Sequence, residues 1–315
     1  MRIAEVSKIA LLQSMVLLSW QYERPGSSNR PDTTMDYRNR INQAMRYMRA
    51  HSDQQLCIAA IAAQAHFSPF HFHRIFSAFT GETVGEYITR IRMAKAAKLL
   101  EDGCSVADAG AAVGYQTTSA FIKVFRKAFG MLPARRPGRE KLRYPPGPAK
   151  TKRPAGTLQA AIRELPDLPL LYLSKKGVEN EFFNAGATFD LLYDYLNQHE
   201  LSSHVQLRLG VLRDMELLDT AQWRFDACIV LPEALEHVPV KPMERCLISA
   251  GKWAVFLHKG PYDTLWQTWS QAYRTWLPYS NMQLREVPPF EVYLNSRKNT
   301  PPEELLTEIH LPVRE

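Results

Sequence analysis

The sequence predicts an all-α domain with two helix-turn-helix units, followed by an α+β domain built from duplicated β-α-β-β units. Three observations predict this fold class. A helical pattern in the front half recurs 49 residues later, a strand and helix pattern in the rear half also recurs, and a basic segment rich in proline and glycine separates the halves. The predicted boundaries are 1–35 for an N-terminal extension, 36–136 for the first domain, 137–157 for a linker and 158–315 for the second domain.

Composition limits the class of protein. The chain has 315 residues, of which 45% are hydrophobic and 23% are charged, as in ordinary globular proteins. Four cysteines without a CxxC pair indicate reduced thiols and a cytoplasmic location. The longest apolar run, 9–20, is too short to cross a bilayer, so no membrane partner is expected. Residues 1–35 are expected to be disordered, with Met35 as an alternative translation start.

Charge is distributed unevenly along the chain. The net formal charge is +7 over 36–136, +5 over 137–157 and −6 over 158–315. A basic front half joined to an acidic rear half indicates that the front half meets a polyanion, such as double-stranded DNA, and the rear half does not. The alternative is that a small helical domain is merely basic on one face.

The front half contains one helical pattern twice. A first helix over 56–65 is followed by Ser68 as N-cap and Pro69 at the first helical position. The second helix then carries apolar residues at helical spacing and ends at a glycine. The matching positions of the two copies are Ser68 and Thr117, Phe72 and Phe121, Phe76 and Phe125, Arg74 and Lys123, and Gly81 and Gly130. A helix, a short turn and a second helix form the layout that places its second helix in the DNA major groove.

The two second helices are candidates for reading DNA. With the aromatic stripe buried, the residues expected to point outward are Phe70, His71, His73 and Arg74 on the first helix and Thr118, Ser119, Ile122 and Lys123 on the second. Arginine can bond guanine or grip a phosphate, histidine can bond a base edge, and Phe70 can pack on a thymine methyl group. The shorter residues of the second helix favour backbone contacts. The alternative is an ordinary helical bundle.

Residues 36–136 resemble the DNA-binding domain of the AraC/XylS family of transcription regulators. The resemblance is carried by the phrases 58–76, 81–92 and 113–130. It implies a sequence-specific regulator with RNA polymerase as a partner, and its base-reading positions fall on Phe70, His73 and Arg74. The sequence departs from the family at His66, where the turn often has glycine, and at 136–137, where Arg-Pro replaces the usual Tyr-Arg.

The rear half contains a second duplication. A strand over 171–177 recurs at 254–260, and each copy continues with an aromatic-rich helix and two strands. The predicted helices are 187–197 and 262–277, and the predicted strands that follow them are 209–212, 225–232, 290–294 and 307–312. We expect the helices to cover one face of the paired sheets and the other face to form a concave groove.

One strand of this half predicts a ligand site. Alternation puts Phe290, Val292 and Leu294 on one face, and Glu291 with Tyr293 on the other. Trp266 and Trp269 of the preceding helix could wall a groove around this carboxylate. A carboxylate among aromatic rings suits a small lipophilic cation. The alternative is a solvated glutamate with both tryptophans in the core.

Residues 158–313 resemble the GyrI-like effector-binding domain. The phrases 258–262, 289–293 and 308–313 carry this resemblance. It implies a small-molecule effector, and the family's ligand-binding acid falls on Glu291.

The sequence lacks the P-loop, GxGxxG, HExxH and GxSxG motifs, so no enzyme activity, catalytic residue or cofactor is expected. No metal site is expected either, because His71 and His73 diverge on a helix. Two other functions remain open. The chain could be a module that sequesters a ligand or protein and binds DNA only secondarily, or it could be a small-molecule hydrolase.

Overall fold

The computed structural model describes residues 32–133, 158–179, 182–183, 185–215, 217–218, 220–232 and 241–315. The described residues fall into two compact units, one within 31–156 and 215–220 and the other within 157–214 and 221–315, and each is considered by itself. The predicted linker and most of the predicted N-terminal extension lie outside the described residues. Within the described ranges, no helix has the length and apolar character needed to span a bilayer.

The first unit is helical, as predicted. Its helices are α1 (Asp32–Ala50), α2 (Ile58–Gln64), α3 (Pro69–Thr80), α4 (Val84–Glu101), α5 (Val106–Ala112) and α6 (Thr118–Phe129). Helix α1 begins directly after Pro31, earlier than the predicted domain start, because Asp32 and the two threonines after it favour a helix N-terminus. Helices α2–α3 and α5–α6 are the two helix-turn-helix units, and α4 joins them.

Local capping chemistry fixes where these helices begin. The Thr83 hydroxyl accepts a hydrogen bond from the Glu86 amide (3.1 Å), and the Thr83 amide donates to the Glu86 carboxylate (2.7 Å), which forms a capping box at α4. The Thr117 hydroxyl accepts from the Ala120 amide at α6. These polar residues satisfy amides that the first helical turn leaves without partners.

The aromatic stripes form the core of the helical unit, as predicted. Phe72 and Phe76 of α3 are fully buried, with ring centroids 5.7 Å apart. Their counterparts in α6, Phe121 and Phe125, are also fully buried and lie 5.5 Å apart. The same pair of rings therefore anchors each second helix.

The second unit is a curled antiparallel sheet with two helices. Its strands are β1 (Ala161–Leu165), β2 (Leu168–Lys176), β5 (Leu207–Arg213), β6 (Arg224–Val230), β7 (Glu244–Ile248), β8 (Gly251–Lys259), β9 (Gln283–Leu284), β10 (Phe290–Tyr293) and β11 (Leu306–Arg314), with β3 (Val178–Glu179) and β4 (Phe182–Phe183) as a separate hairpin. Among the described residues the strand order is β1-β8-β11-β10-β5-β6-β2-β7, and β9 pairs with β11. The helices are α7 (Ala185–Gln198) and α8 (Leu265–Gln271), the latter continuing as a π-helical turn, Ala272–Trp276.

The predicted duplication is present, and the order of the sheet is nearly symmetric about its centre. Strands β1 and β2 recur as β7 and β8 after 83 residues, with identical lengths. The first strand of each copy crosses to the other copy, so β1 pairs with β8 and β7 pairs with β2. Matching the ladders outward from β2 and β8 makes Gly210 the counterpart of Glu291. These two residues are also direct partners across β5 and β10, so the pseudo-twofold axis passes between them.

The two faces of the sheet are not arranged as expected. The helix-free face closes on itself around a core drawn only from strands and loops, which includes Trp253, Phe290 and Val292. The other face carries α7, packed on β2 and β6, and α8, packed on β8. The prediction of a concave groove on the face opposite the helices is therefore wrong, because side chains of the curled sheet itself fill that face. Glu291 lies on the helix-bearing face, over the central strands.

Candidate DNA and ligand sites

The residues of α3 that were predicted to read bases differ in their exposure to solvent. His71 and His73 are each only 2% exposed, so the prediction that they point outward is wrong. They lie about a quarter-turn to either side of the aromatic stripe, where a wide buried face still covers them. Arg74 lies opposite the stripe and is half-buried. The side chain of Phe70 lies outside the described residues.

Burial also changes the chemistry of His73. Its removal from water, and secondarily the positive charge of Arg74, lower the pKa of His73 to about 3. The imidazole is therefore neutral at pH 7 and adds no positive charge to this helix. Of the three positions implied by the resemblance, Arg74 remains the candidate with both charge and exposure.

Helix α6 presents its candidates to solvent. Thr118, Ser119 and Lys123 are exposed, as predicted, and Ile122 is half-buried. The hydroxyl of Ser119 donates to the neighbouring Thr117 hydroxyl at 3.3 Å. Their exposure is confirmed, while their contact with DNA stays a prediction.

The turns of the two helix-turn-helix units differ. His66 has a φ of 51° and Gly114 a φ of 85°, so both turns use the left-handed conformation, which histidine adopts more readily than most residues. One extra residue separates this position from the N-cap in the second unit. Arg40 donates to the carbonyls of Ala65 (2.7 Å) and His66 and so stabilises the first turn.

Two arginines of α4 have structural roles. Arg92 donates to the carbonyls of Ser52 and Gln54, both at 2.7 Å. Arg90 pairs with the Glu82 carboxylate. The cations of this helix that remain exposed are Lys95 and Lys98.

The candidate ligand site of the second unit is centred on Glu291. The indole Nε1 of Trp269 donates to its Oε1 at 2.7 Å, and the Tyr293 hydroxyl donates to its Oε2 at 2.7 Å. Burial, together with the charge of Glu291 and this hydrogen bond, raises the pKa of Tyr293 well above its usual value. The phenol therefore stays a donor at neutral pH. The predicted neighbours Tyr293 and Trp269 both contact the carboxylate, and their role in binding a ligand stays a prediction.

Among the described residues, no positive side chain forms an ion pair with this carboxylate. In the part of the chain that the structure describes, Glu291 forms no salt bridge. Burial lowers the pKa of the nearby His258, although the charge of Glu291 acts the other way. His258 is therefore neutral at pH 7, and its Nδ1 lies 2.8 Å from the Thr268 hydroxyl. The carboxylate has two neutral donors and a half-buried position.

Aromatic rings surround the carboxylate. The ring of Tyr293 meets Tyr262 and Phe189, with both pairs of centroids 5.3 Å apart and nearly perpendicular. Gly210 lies beneath them, since a Cβ at this position would stand 2.5 Å from the Tyr293 hydroxyl and 2.7 Å from Cζ of Phe225. Only glycine leaves room for the tyrosine here.

Trp266 does not share the position of Trp269. Its side chain is 55% exposed, because it lies on the outer part of α8 next to the buried Leu265 and Thr268. Its predicted role as a wall of the site therefore receives no support from its exposure.

Phe189, Tyr262 and Gly210 were not among the predicted site residues. The duplication carries a signal for Phe189, because Thr188-Phe189 in α7 matches Thr268-Trp269 in α8, and a tyrosine follows each aromatic residue after four positions. The two-fold relation brings both aromatic residues to the central strands.

Comparisons with known proteins agree with both halves. A GyrI-like small molecule binding domain model matches residues 159–314, and a helix-turn-helix domain model matches residues 61–136. The regulatory protein PocR of Salmonella typhimurium is 30% identical over 96 residues, which are 30% of this chain and 32% of PocR. The probable transcription factor PqrA of Proteus vulgaris is 30% identical over 100 residues, which are 31% of this chain and 82% of PqrA.

A solved structure also resembles the helical unit. The crystal structure of a transcriptional regulator with an AraC-type DNA-binding domain, from Chromobacterium violaceum, is 23% identical, covers 31% of this chain and 88% of its own, and has a TM-score of 0.30. The two domain models and the match to PqrA, rather than this structure, show the family: the chain belongs to the AraC family of transcription regulators and carries a GyrI-like small-molecule-binding domain.

Proposed function

We propose that the protein is a cytoplasmic transcription regulator that binds double-stranded DNA through its two helix-turn-helix units and senses a small aromatic cation at Glu291. The observation that carries the ligand class is the state of this carboxylate. It is half-buried among aromatic rings, accepts two hydrogen bonds from neutral donors and forms no salt bridge with a described residue.

The chemistry of the site favours a cation for two reasons. An ionised carboxylate that is partly removed from water and lacks a positive partner is unfavourable, so a bound cation gains by compensating it. The rings of Tyr293 and Tyr262 are placed to supply cation–π attraction, and Trp269, whose indole edge donates to the carboxylate, adds apolar contact area. A neutral ligand of the same shape would gain only the contact area.

In the helical unit, Arg74 is the side chain proposed to read a base, while Thr118, Ser119 and Lys123 contact the DNA backbone. Arginine suits base reading because its planar fork can form two hydrogen bonds with guanine. RNA polymerase is the proposed partner on the promoter, as expected for a member of this family. Regulation is proposed to follow from ligand binding in the second unit.

A matched pair of ligands tests the cation site. The probes are para-trimethylammoniobenzamide and its neutral isostere para-tert-butylbenzamide, measured by calorimetry with the full chain and with Glu291→Gln. We expect the cation to bind the parent more tightly, and Glu291→Gln to weaken the cation about tenfold or more while barely changing the isostere. Equal losses for both probes would mean that Glu291 maintains the structure of the site and does not select charge.

A further inference from the structure

An aromatic wall leads away from Glu291 along α7. The ring of Tyr293, which donates to the carboxylate, meets Phe189 with centroids 5.3 Å apart. Phe189 in turn stacks on Tyr193 of the next helical turn, with centroids 6.3 Å apart. The wall therefore joins the carboxylate to Tyr193 in two ring-to-ring steps.

The far end of this wall carries positive charge. The Arg208 guanidinium carbon lies 5.8 Å from the centroid of the Tyr193 ring, and the Lys298 ammonium lies 5.4 Å from the same centroid. Arg208 is on the same face of β5 as Gly210, two residues along the strand, which is about 7 Å. The wall thus runs from a negative group to a pair of positive ones.

Arg208 has no negative partner in the described part of the chain. Its Nε–H is buried and donates no hydrogen bond there, and the guanidinium donates elsewhere to the neutral Tyr193 hydroxyl. Neither Arg208 nor Lys298 forms a salt bridge with a described residue. A third cation nearby, Arg297, pairs with Asp190 at 3.5 Å, and both side chains are more than half exposed. A buried donor of a charged group without an acceptor is unfavourable, as is the uncompensated carboxylate at the other end.

Both ends of the wall act on one phenol. Tyr262 packs against Tyr293 with centroids 5.3 Å apart. Burial raises the pKa of Tyr262, the charge of Glu291 raises it further, and the charges of Arg297 and Arg208 lower it. Gly210 is the cross-strand partner of Glu291, and Arg208 lies two residues from Gly210 on the same face of β5, so the carboxylate and this cation lie on one face of the sheet.

We propose that the ligand of this site is an aromatic zwitterion, with a cationic nitrogen against Glu291 and an acidic group against Arg208. This inference rests on the proposed function and narrows its ligand class. A ligand with only a positive charge compensates Glu291, but it is repelled by Arg208 and leaves that guanidinium with the neutral Tyr193 hydroxyl as acceptor and no counter-charge among the described residues. A ligand that also carries an acid satisfies both groups, and the site discriminates against the simple cation.

The experiment compares para-trimethylammoniobenzoate with para-trimethylammoniobenzamide, which has the same shape and cation but no acid. Calorimetry uses the full chain, Arg208→Gln and a control, Arg245→Gln, which removes the same charge from edge strand β7. We expect the parent to bind the benzoate about tenfold more tightly than the benzamide. Arg208→Gln should abolish that preference by weakening the benzoate alone, and Arg245→Gln should leave it intact.

A second variant separates charge from folding. Arg208→Lys keeps the charge without the planar fork, and we expect it to retain part of the preference for the benzoate. If the parent binds both probes equally, or if Arg208→Gln weakens both equally, the zwitterion proposal is overturned and the cation site stands. If neither probe binds the parent, the proposed function fails together with this inference.

Discussion

The two copies of the β-α-β-β unit share a strand order and one buried, arginine-paired acid, but they differ at the pseudo-twofold axis. In the first copy, Asp226 is 1% exposed, accepts from Ser174 (2.6 Å) and pairs with Arg213 (2.8 Å). Its counterpart in the second copy, Glu308, is 5% exposed and pairs with Arg163 at 2.9 Å. Glu291, by contrast, has a glycine as its counterpart and neutral donors as its partners. One copy therefore supplies the acid and the other supplies the space around it.

The two helix-turn-helix units have diverged in a similar way. The first keeps the longer and more specific side chain, Arg74, on its outward face, while the second presents Thr118, Ser119 and Lys123. Both keep the buried pair of phenylalanines at matching positions. In both halves of the chain, duplication preserves residues of the core and changes those at the candidate DNA and ligand sites.

The largest expected effect separates the paired acids from the unpaired one. Asp226→Asn should lower the free energy of unfolding by about 3 kcal/mol, because it leaves Arg213 partly buried without its anion. Glu291→Gln should change the free energy of unfolding by less than about 1 kcal/mol, because the Trp269 indole can still donate to the amide oxygen and the Tyr293 hydroxyl oxygen can accept from the amide nitrogen. Urea denaturation followed by circular dichroism measures both. Similar losses in the two variants would contradict the distinction.

The second test gives the first copy a side chain at the pseudo-twofold axis, where it has glycine. Gly210→Ala adds a Cβ against the Tyr293 hydroxyl and the Phe225 ring. It should destabilise the protein by about 2 kcal/mol and weaken the binding of the cationic benzamide. Adding Tyr293→Phe removes the closest contact, so the double variant should recover part of the lost stability. Thermal and urea unfolding of the two single variants and the double variant complete the cycle. Strictly additive losses would show that Gly210 does not act through Tyr293.

The third test compares the two helix-turn-helix units. Arg74→Ala should weaken binding to the specific DNA site by about 1.5 kcal/mol, with much less effect on random DNA. Lys123→Ala should weaken binding to both DNAs similarly and reduce the slope of the salt dependence by about one. Fluorescence anisotropy titrations at two salt concentrations measure these effects. An Arg74→Ala variant that loses equal affinity for both DNAs would instead have lost a phosphate contact.

The smallest expected effect concerns the aromatic counterparts Phe189 and Trp269. Trp269→Phe gives both copies the same residue and removes one donor to Glu291, so the free energy of unfolding should fall by about 1 kcal/mol. The preference for the cationic over the neutral benzamide should survive, because the carboxylate then depends more on its ligand for compensation. Calorimetry with both probes checks this. Loss of charge selection would assign the indole a direct role in holding the carboxylate.

Sequence patterns predicted the features that depend on local periodicity. The buried phenylalanines, the N-cap at Thr117 and the side of β10 that carries Glu291 all follow from helical or alternating spacing. The position of Tyr293 beside Glu291 followed from the same alternation, and that of Trp269 followed from its place in the helix that precedes β10. Such features need only one element to be placed correctly.

Features that depend on how elements pack were beyond the sequence. The burial of His73 depends on how wide the covered face of α3 is, which periodicity does not fix. Which face of the sheet is filled by its own side chains depends on how the sheet curls. The role of Gly210 depends on a ladder between strands about 80 residues apart in the sequence. The capping of backbone carbonyls by Arg92 follows from tertiary contact alone.

The crossing of first strands between the copies has a consequence for how the domain acquires its structure. Strand β1 pairs with β8 and β2 pairs with β7, so each edge ladder closes a loop of roughly 80 residues. The chain loses the entropy of closing this loop before the hydrogen bonds of the ladder can form. Neither copy alone can complete its own sheet. We therefore expect the domain to fold slowly and in one cooperative transition, and a fragment holding a single copy to remain unfolded until its complement is added.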